Sequence, residues 1–145
     1  MRNTISFNTK FGWISATEIN NKITKIQFGR KKGLGKKSKN LVNLKKKIIS
    51  FFQKKTNKLD AKILFNGNFL QKKIWLELKK IKKGKVKTYG EIAKKLKISP
   101  RYVGRVCGEN NHLLVVPCHR IIRSDNTLGG FSTPGGIKLK KKLLE

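Results

Sequence analysis

The sequence predicts a two-part α+β fold: a small antiparallel sheet with a covering helix in the first half, and a helical second half holding a helix-turn-helix. Three observations carry this. Apolar and polar residues alternate in short stretches from Thr4 to Phe28; apolar residues recur at helical spacing in four later segments; and two of those segments follow one another almost without a break. The boundary is expected between an N-terminal unit, 1–60, and a second unit, 61–145. At 145 residues and 37% apolar content, the chain has material for a modest core.

The strands come first. Ile5 and Phe7, then Ile23-Thr24-Lys25-Ile26-Gln27-Phe28, read as strands of a meander, with Asn20-Asn21-Lys22 as a turn. A loop rich in Gly and Lys, residues 29–39, leads to a helix from Leu41 to Phe52 that covers the sheet. An extended connection over 56–68 precedes a helix over 70–81, whose apolar stripe is Ile74, Leu78 and Ile81 and which Gly84 ends. Thr88 is a natural N-cap for the next helix, marked by Tyr89, Ile92, Ala93 and Leu96. Ser99 and Pro100 then supply an N-cap and a first-turn proline for another, with Val103, Val106 and Cys107 on its buried face. On the opposite face Arg101 and Arg105 line up with the small Gly104 and Gly108, giving a basic surface able to approach a nucleic-acid backbone closely.

Charge narrows the partners. Thirty-six Lys and Arg against seven Asp and Glu give a net charge of +29, which makes nucleic acid the first partner to consider. The charge is mostly Lys and is spread over nearly every segment, so a solvated surface accounts for much of it equally well. No apolar stretch reaches the roughly 18 residues of a membrane span, and no signal-type core follows Met1, so no membrane association and a cytoplasmic location are expected. The only Cys and His are Cys107, His112, Cys118 and His119, without CxxC or HxxxH spacing; no metal or other cofactor is expected.

The chemistry centres on Pro117-Cys118-His119-Arg120, set between the apolar run Leu113-Leu114-Val115-Val116, read as a strand, and Ile121-Ile122. Cysteine reacts as the thiolate, and an imidazole or guanidinium nearby favours that form, so Cys118 has the local partners of a nucleophile. On these residues alone a small buried hydrophobe, a Cys-His hydrolase and a basic architectural DNA binder also remain open.

Taken in order, Gln71-Lys72-Lys73-Ile74-Trp75, Thr88-Tyr89-Gly90-Glu91-Ile92-Ala93, Arg101-Tyr102-Val103-Gly104, Asn110, Pro117-Cys118-His119-Arg120-Ile121-Ile122 and Gly129-Gly130-Phe131-Ser132 resemble the O6-alkylguanine-DNA alkyltransferase family over roughly residues 70–144. The resemblance implies an RNase H-like N-terminal domain and a winged helix-turn-helix in the C-terminal domain. It also implies a monomer that binds double-stranded DNA carrying alkylated guanine, flips the base out and transfers its alkyl group irreversibly to Cys118; O4-alkylthymine stands as a possible second substrate. On this likeness His119 acts through a water as the base, and Tyr89 donates to the purine N3. Arg101 is the arginine finger, with Gly104 and Arg105 beside it at the DNA, and Asn110 and Arg120 support the site. Ser132, next to Phe131, bonds O6, while the carbonyls of Cys118 and Ile121 receive the exocyclic amine.

Some positions depart from the family pattern. A glutamate that completes the Cys-His-water network would fall beyond Glu145 in register, so Glu145 is a possible substitute. Thr133-Pro134 is inserted before Gly135-Gly136, Asn110-Asn111 stands in place of Asn-Pro, and Lys82 replaces a proline. The N-terminal half lacks Cys and His, which removes the zinc site of some relatives. The alternative within the same resemblance is a non-catalytic alkyltransferase-like binder of alkylated DNA; such proteins lack the nucleophile that Cys118 supplies.

Overall fold

A computed structural model of the chain describes residues 2–65, 67–131 and 135–145. The chain forms two compact units, Met1–Phe65 with Asn111–Val115, and Asn66–Asn110 with Val116–Glu145. The fold is α+β, with the sheet confined to the first unit and most of the helix in the second.

In the first unit β1 (Arg2–Thr9), β2 (Gly12–Ile19) and β3 (Lys22–Phe28) form an antiparallel sheet in sequence order. The second hairpin closes over Asn20 and Asn21, both at positive φ (51° and 67°), the pair of left-handed positions that a two-residue hairpin turn requires and that Asn tolerates. Alternation decides the buried face: Asn3, Ile5 and Phe7 of β1 point inward, as do Ile23, Ile26 and Phe28 of β3. Helix α1 (Lys39–Phe52), capped by the Ser38 side chain, buries Leu41, Leu44, Ile48, Phe51 and Phe52. Both sheet edges are paired: Thr4 exchanges hydrogen bonds with Leu34 beside β1, while beside β3 Ile23 bonds with Lys62 and Leu64, and Ile26 with Asn111 and Leu113. The buried carboxylate of Glu18 is held by the side-chain amides of Asn3 (2.8 Å) and Asn40 (3.0 Å).

In the second unit α2 (Phe69–Lys79) begins with a capping box between Asn68 and Gln71 and buries Ile74, Trp75 and Leu78. Strand β4 (Lys87–Thr88) runs into α3 (Tyr89–Leu96), where Thr88 and Glu91 make a second capping box. Lys97, in the left-handed conformation (φ 59°), ends α3, and Ser99 caps α4 (Pro100–Gly108) with Pro100 in its first turn. Glu77 ties α2 to α3 through Lys95 at 2.9 Å. Beyond the 3-10 turn Cys118–Arg120, β5 (Ile121–Ile122) pairs in parallel with β4, and α5 (Gly136–Leu144) closes the unit. Among the described residues no helix is long and apolar enough to cross a membrane.

One expectation is corrected. Leu113-Leu114-Val115-Val116 is buried throughout but is not a strand: Leu114 has φ 74°, and the amide of Val115 turns back to the Leu113 carbonyl at 2.9 Å. The run leaves the edge of β3 after Leu113 and passes into the second unit at Val116. Apolar content reflected burial there, not extension.

Candidate active site

Two turns set Cys118. Its amide bonds to the Val116 carbonyl at 2.8 Å, and the amide of Arg120 bonds to the Pro117 carbonyl at 3.0 Å, so the chain coils tightly where a strand would have continued. Pro117 suits such a turn because its fixed φ removes a freedom the chain would otherwise lose. Asn110, just past the end of α4, donates from Nδ2 to the Val116 carbonyl at 2.8 Å, and its side chain also bonds Cys118. Arg120 turns the other way: its guanidinium is buried and donates to the Ile81 carbonyl at 2.7 Å, fastening the turn to the chain just beyond α2.

Cys118 lies in the wall of a cavity of about 380 Å³ that Tyr89, Gly104, Cys107, Gly108, Gly130 and Phe131 complete. Four elements thus contribute: α3 through Tyr89, α4 through Gly104 to Gly108, the 3-10 turn through Cys118, and the segment before α5 through Gly130 and Phe131. Gly129 has φ 73°, and a Cβ there would meet the Tyr89 ring at 3.4 Å; glycine is what lets this segment lie against the tyrosine.

Lys140 is fully buried on the inner face of α5. Its ammonium donates to the carbonyls of Leu128 (2.5 Å) and Gly130 (3.3 Å) and lies 5.9 Å from the centre of the Tyr89 ring. A buried ammonium needs such acceptors, since its desolvation otherwise costs several kcal/mol. Lys140 therefore stitches the cavity's Leu128–Gly130 wall to α5 while setting a positive charge near Cys118 and Cys107.

These surroundings tune each group. Burial, the largest effect, pushes the Cys118 thiol up, against the hydrogen bond from Asn110 and the charge of Lys140, which favour thiolate. Burial also pulls His119 down to about 3, and the neighbouring charges of Arg120 and Lys140 act in the same direction. The imidazole is therefore neutral at ordinary pH, and its surroundings work against its holding a proton. Burial, with the two cysteines adding to it, pushes Tyr89 up to about 12, so its phenol stays protonated and remains a donor. Among the described residues no three His, Cys, Asp or Glu side chains come together to hold a metal ion.

A family model described as the 6-O-methylguanine DNA methyltransferase DNA binding domain matches residues 69–145, more than half of the sequence. The chain belongs to the 6-O-methylguanine DNA methyltransferase family. A relative from Sulfolobus acidocaldarius, a methylated-DNA–protein-cysteine methyltransferase, is 49% identical over 100 residues, covering 68% of this chain and 62% of the relative. The chain thus matches somewhat under two thirds of that relative's length. The crystal structure of Mycobacterium tuberculosis O6-methylguanine methyltransferase shares the fold, with TM-score 0.86 and 23% identity over 99% of this chain and 91% of that one. A structure of the M. tuberculosis OGT in complex with DNA superposes with TM-score 0.84 and 24% identity, over 97% and 89%.

The residues singled out by likeness to the methyltransferase family are only partly brought together. Cys118, Tyr89, Gly104 and Phe131 share the cavity, and Asn110 and Arg120 bracket the turn that presents the thiol. Arg101 and Arg105 are exposed on the outer side of α4, with the Arg105 guanidinium 5.3 Å from the Tyr102 ring. Ile121 is buried in β5 beside Lys87, and His119 is buried within the 3-10 turn. Glu145 is exposed at the end of α5, and Ser132 lies outside the described residues. Lys140, set among Lys138, Lys141 and Lys142, was missed in the sequence; its one signal there is that it follows Leu139 and precedes Leu143 by three, the spacing of an inward face.

Proposed function

We propose that this chain is a single-use DNA repair methyltransferase, acting as a monomer, that moves the alkyl group from O6-alkylguanine in double-stranded DNA to Sγ of its own Cys118. The observation that carries the reading is the cavity that Cys118 shares with Tyr89 and the segment at Gly130 and Phe131, a space able to take a purine. In the displacement, Sγ attacks the alkyl carbon in line, the S–C bond forms as the C–O6 bond breaks, and the electron pair passes to the guanine. The thiol proton leaves through a water toward neutral His119, which burial keeps from holding it, so the proton is passed on and the leaving guanine takes one up on its ring. Tyr89 meets the developing charge as a hydrogen-bond donor, a role that its raised pKa keeps available. Because the product is a stable thioether, one molecule repairs one base.

Thiolate formation depends on Asn110 and Lys140, since burial alone favours the thiol. Lys140 also fixes the cavity wall against which the base packs. A base in a duplex must be extruded to reach such a site, at a cost of a few kcal/mol of stacking and pairing. Exposed Arg101 at the start of α4 is suited to fill the gap, and Gly104, where a Cβ would lie 3.7 Å from the Tyr89 ring, leaves room in the cavity for the base. That a protein of the same fold has been solved in complex with DNA supports DNA as the partner. Cys118→Ser tests the reading: transfer from an alkylated duplex should vanish while duplex binding persists, and retained transfer would remove Cys118 as nucleophile.

A further inference from the structure

We infer that the segment Arg30–Lys37 of the N-terminal unit, together with Trp13, is a second contact surface for the phosphate backbone of duplex DNA. The inference rests on the proposed action on DNA and adds a surface in a unit that contributes nothing to the cavity. Residues 1–65 and 111–115 carry 17 Lys and Arg against two carboxylates, Glu18 and Asp60. Glu18 is buried and held by Asn3 and Asn40, so Asp60 alone is an exposed counter-charge.

An excess of this kind usually sits on mobile side chains and says little about a partner. Here five of the cations are mounted on a pinned backbone. Leu34 pairs with Thr4 of β1 in both directions (2.8 and 3.1 Å), Ser6 Oγ donates to the Lys31 carbonyl at 2.8 Å and accepts from its amide at 2.9 Å, and the Lys36 amide donates to Asn3 Oδ1 at 2.8 Å. Gly35 makes the close approach possible: its φ is 66°, and a Cβ there would overlap the Asn3 side chain and the Arg2 carbonyl. The Arg30 guanidinium lies over the Trp13 ring, 4.6 Å from its centre, which restrains it without neutralising it.

Arg30, Lys31, Lys32, Lys36 and Lys37 are all exposed, so the segment carries a strip of five cations on a fixed backbone, from Trp13 of β2 to the edge of β1. Holding like charges together on fixed backbone works against folding through self-repulsion. A regularly charged polyanion reverses the sign of that effect, and a duplex backbone releases its own counterions as it binds. The order of the strip also lowers the conformational cost of engaging it.

The test is duplex affinity as a function of salt, measured on the full chain with unmodified DNA, for a variant in which Arg30, Lys31, Lys32, Lys36 and Lys37 are all changed to Gln. A control variant changes five other exposed lysines of the same unit, Lys22, Lys46, Lys54, Lys55 and Lys58, to Gln. Each lost phosphate contact should reduce the slope of log K against log [salt] by about 0.9, so the strip variant, with five cations removed, should lose up to about 4.5 and the control less than about 1. Reaction with free O6-benzylguanine, which needs no DNA, should be unchanged in both. An unchanged slope in the strip variant, or equal losses in the two, overturns the inference. Failure of the unaltered protein to react with O6-benzylguanine while binding duplex normally would instead count against the transfer reading.

Discussion

Asn110→Ala removes one side chain that bonds two groups, and the structure separates the two consequences. The Val116 carbonyl loses a donor at 2.8 Å, yet it keeps the amide of Cys118, also at 2.8 Å, so it is not left unpaired. The stability loss should then be that of an ordinary hydrogen bond, about 0.5–1.5 kcal/mol, rather than the larger penalty of an orphaned polar group. Cys118 loses the hydrogen bond that favours its thiolate. Bonds to a charged partner are worth about 1.5–3 kcal/mol, and this one acts in full only when the charge forms, which converts to about 10- to 100-fold in rate. Single-turnover reaction with O6-benzylguanine from pH 6 to 10, beside urea unfolding, reads both. The rate should fall in that range near neutrality and should still rise with pH in both proteins, since burial holds the thiol above its ordinary range in each. A stability loss with an unchanged rate would refute the role given to Asn110.

Three more predictions follow from the same geometry. Arg101→Ala should slow repair of an alkylated duplex at least tenfold more than reaction with free O6-benzylguanine, since only the duplex needs a base held out of the stack; equal losses would remove Arg101 from that step. Lys140→Met should slow transfer near neutrality while changing unfolding free energy little, because loss of two hydrogen bonds is offset by relief of a buried ammonium; a large destabilisation with normal kinetics would make Lys140 purely structural. His119 has a folded pKa of about 3, below the ordinary histidine value of 6.5, so the folded state binds fewer protons than the unfolded one between those values. Its contribution to stability is complete above about pH 6.5 and is lost as pH falls toward 3, at up to roughly 1.4 kcal/mol per pH unit. His119→Gln should flatten the acid side of the unfolding profile, and an unchanged profile would mean the ring is not buried neutral.

Local chemistry wrote much of this fold into the sequence. The capping residues Thr88 and Ser99, the proline at Pro100 and the Asn20-Asn21 turn each act within a few residues of themselves, and each appears where its chemistry requires. Leu113–Val116 misled because an apolar run records burial, and burial is compatible with the left-handed bend at Leu114 as well as with a strand. Lys140 could not be distinguished from the lysines around it: its burial depends on carbonyls at Leu128 and Gly130 that approach only in the folded unit. Cys107 was legible as a buried residue of α4, but its share in the wall of the cavity is set by how α4 meets the 3-10 turn. Pro117-Cys118-His119-Arg120 was legible as a reactive motif, whereas the opposed effects of burial and of Asn110 and Lys140 on the thiol belong to tertiary structure.

The central claim is that Cys118 itself keeps the alkyl group. Incubation with a duplex carrying methyl-labelled O6-methylguanine, followed by peptide mass mapping, measures this directly. Up to one label per protein molecule is expected, all of it on Cys118, and a second addition of substrate should bring no further repair. Binding without label, label on another residue, or repair of many bases per protein would contradict it.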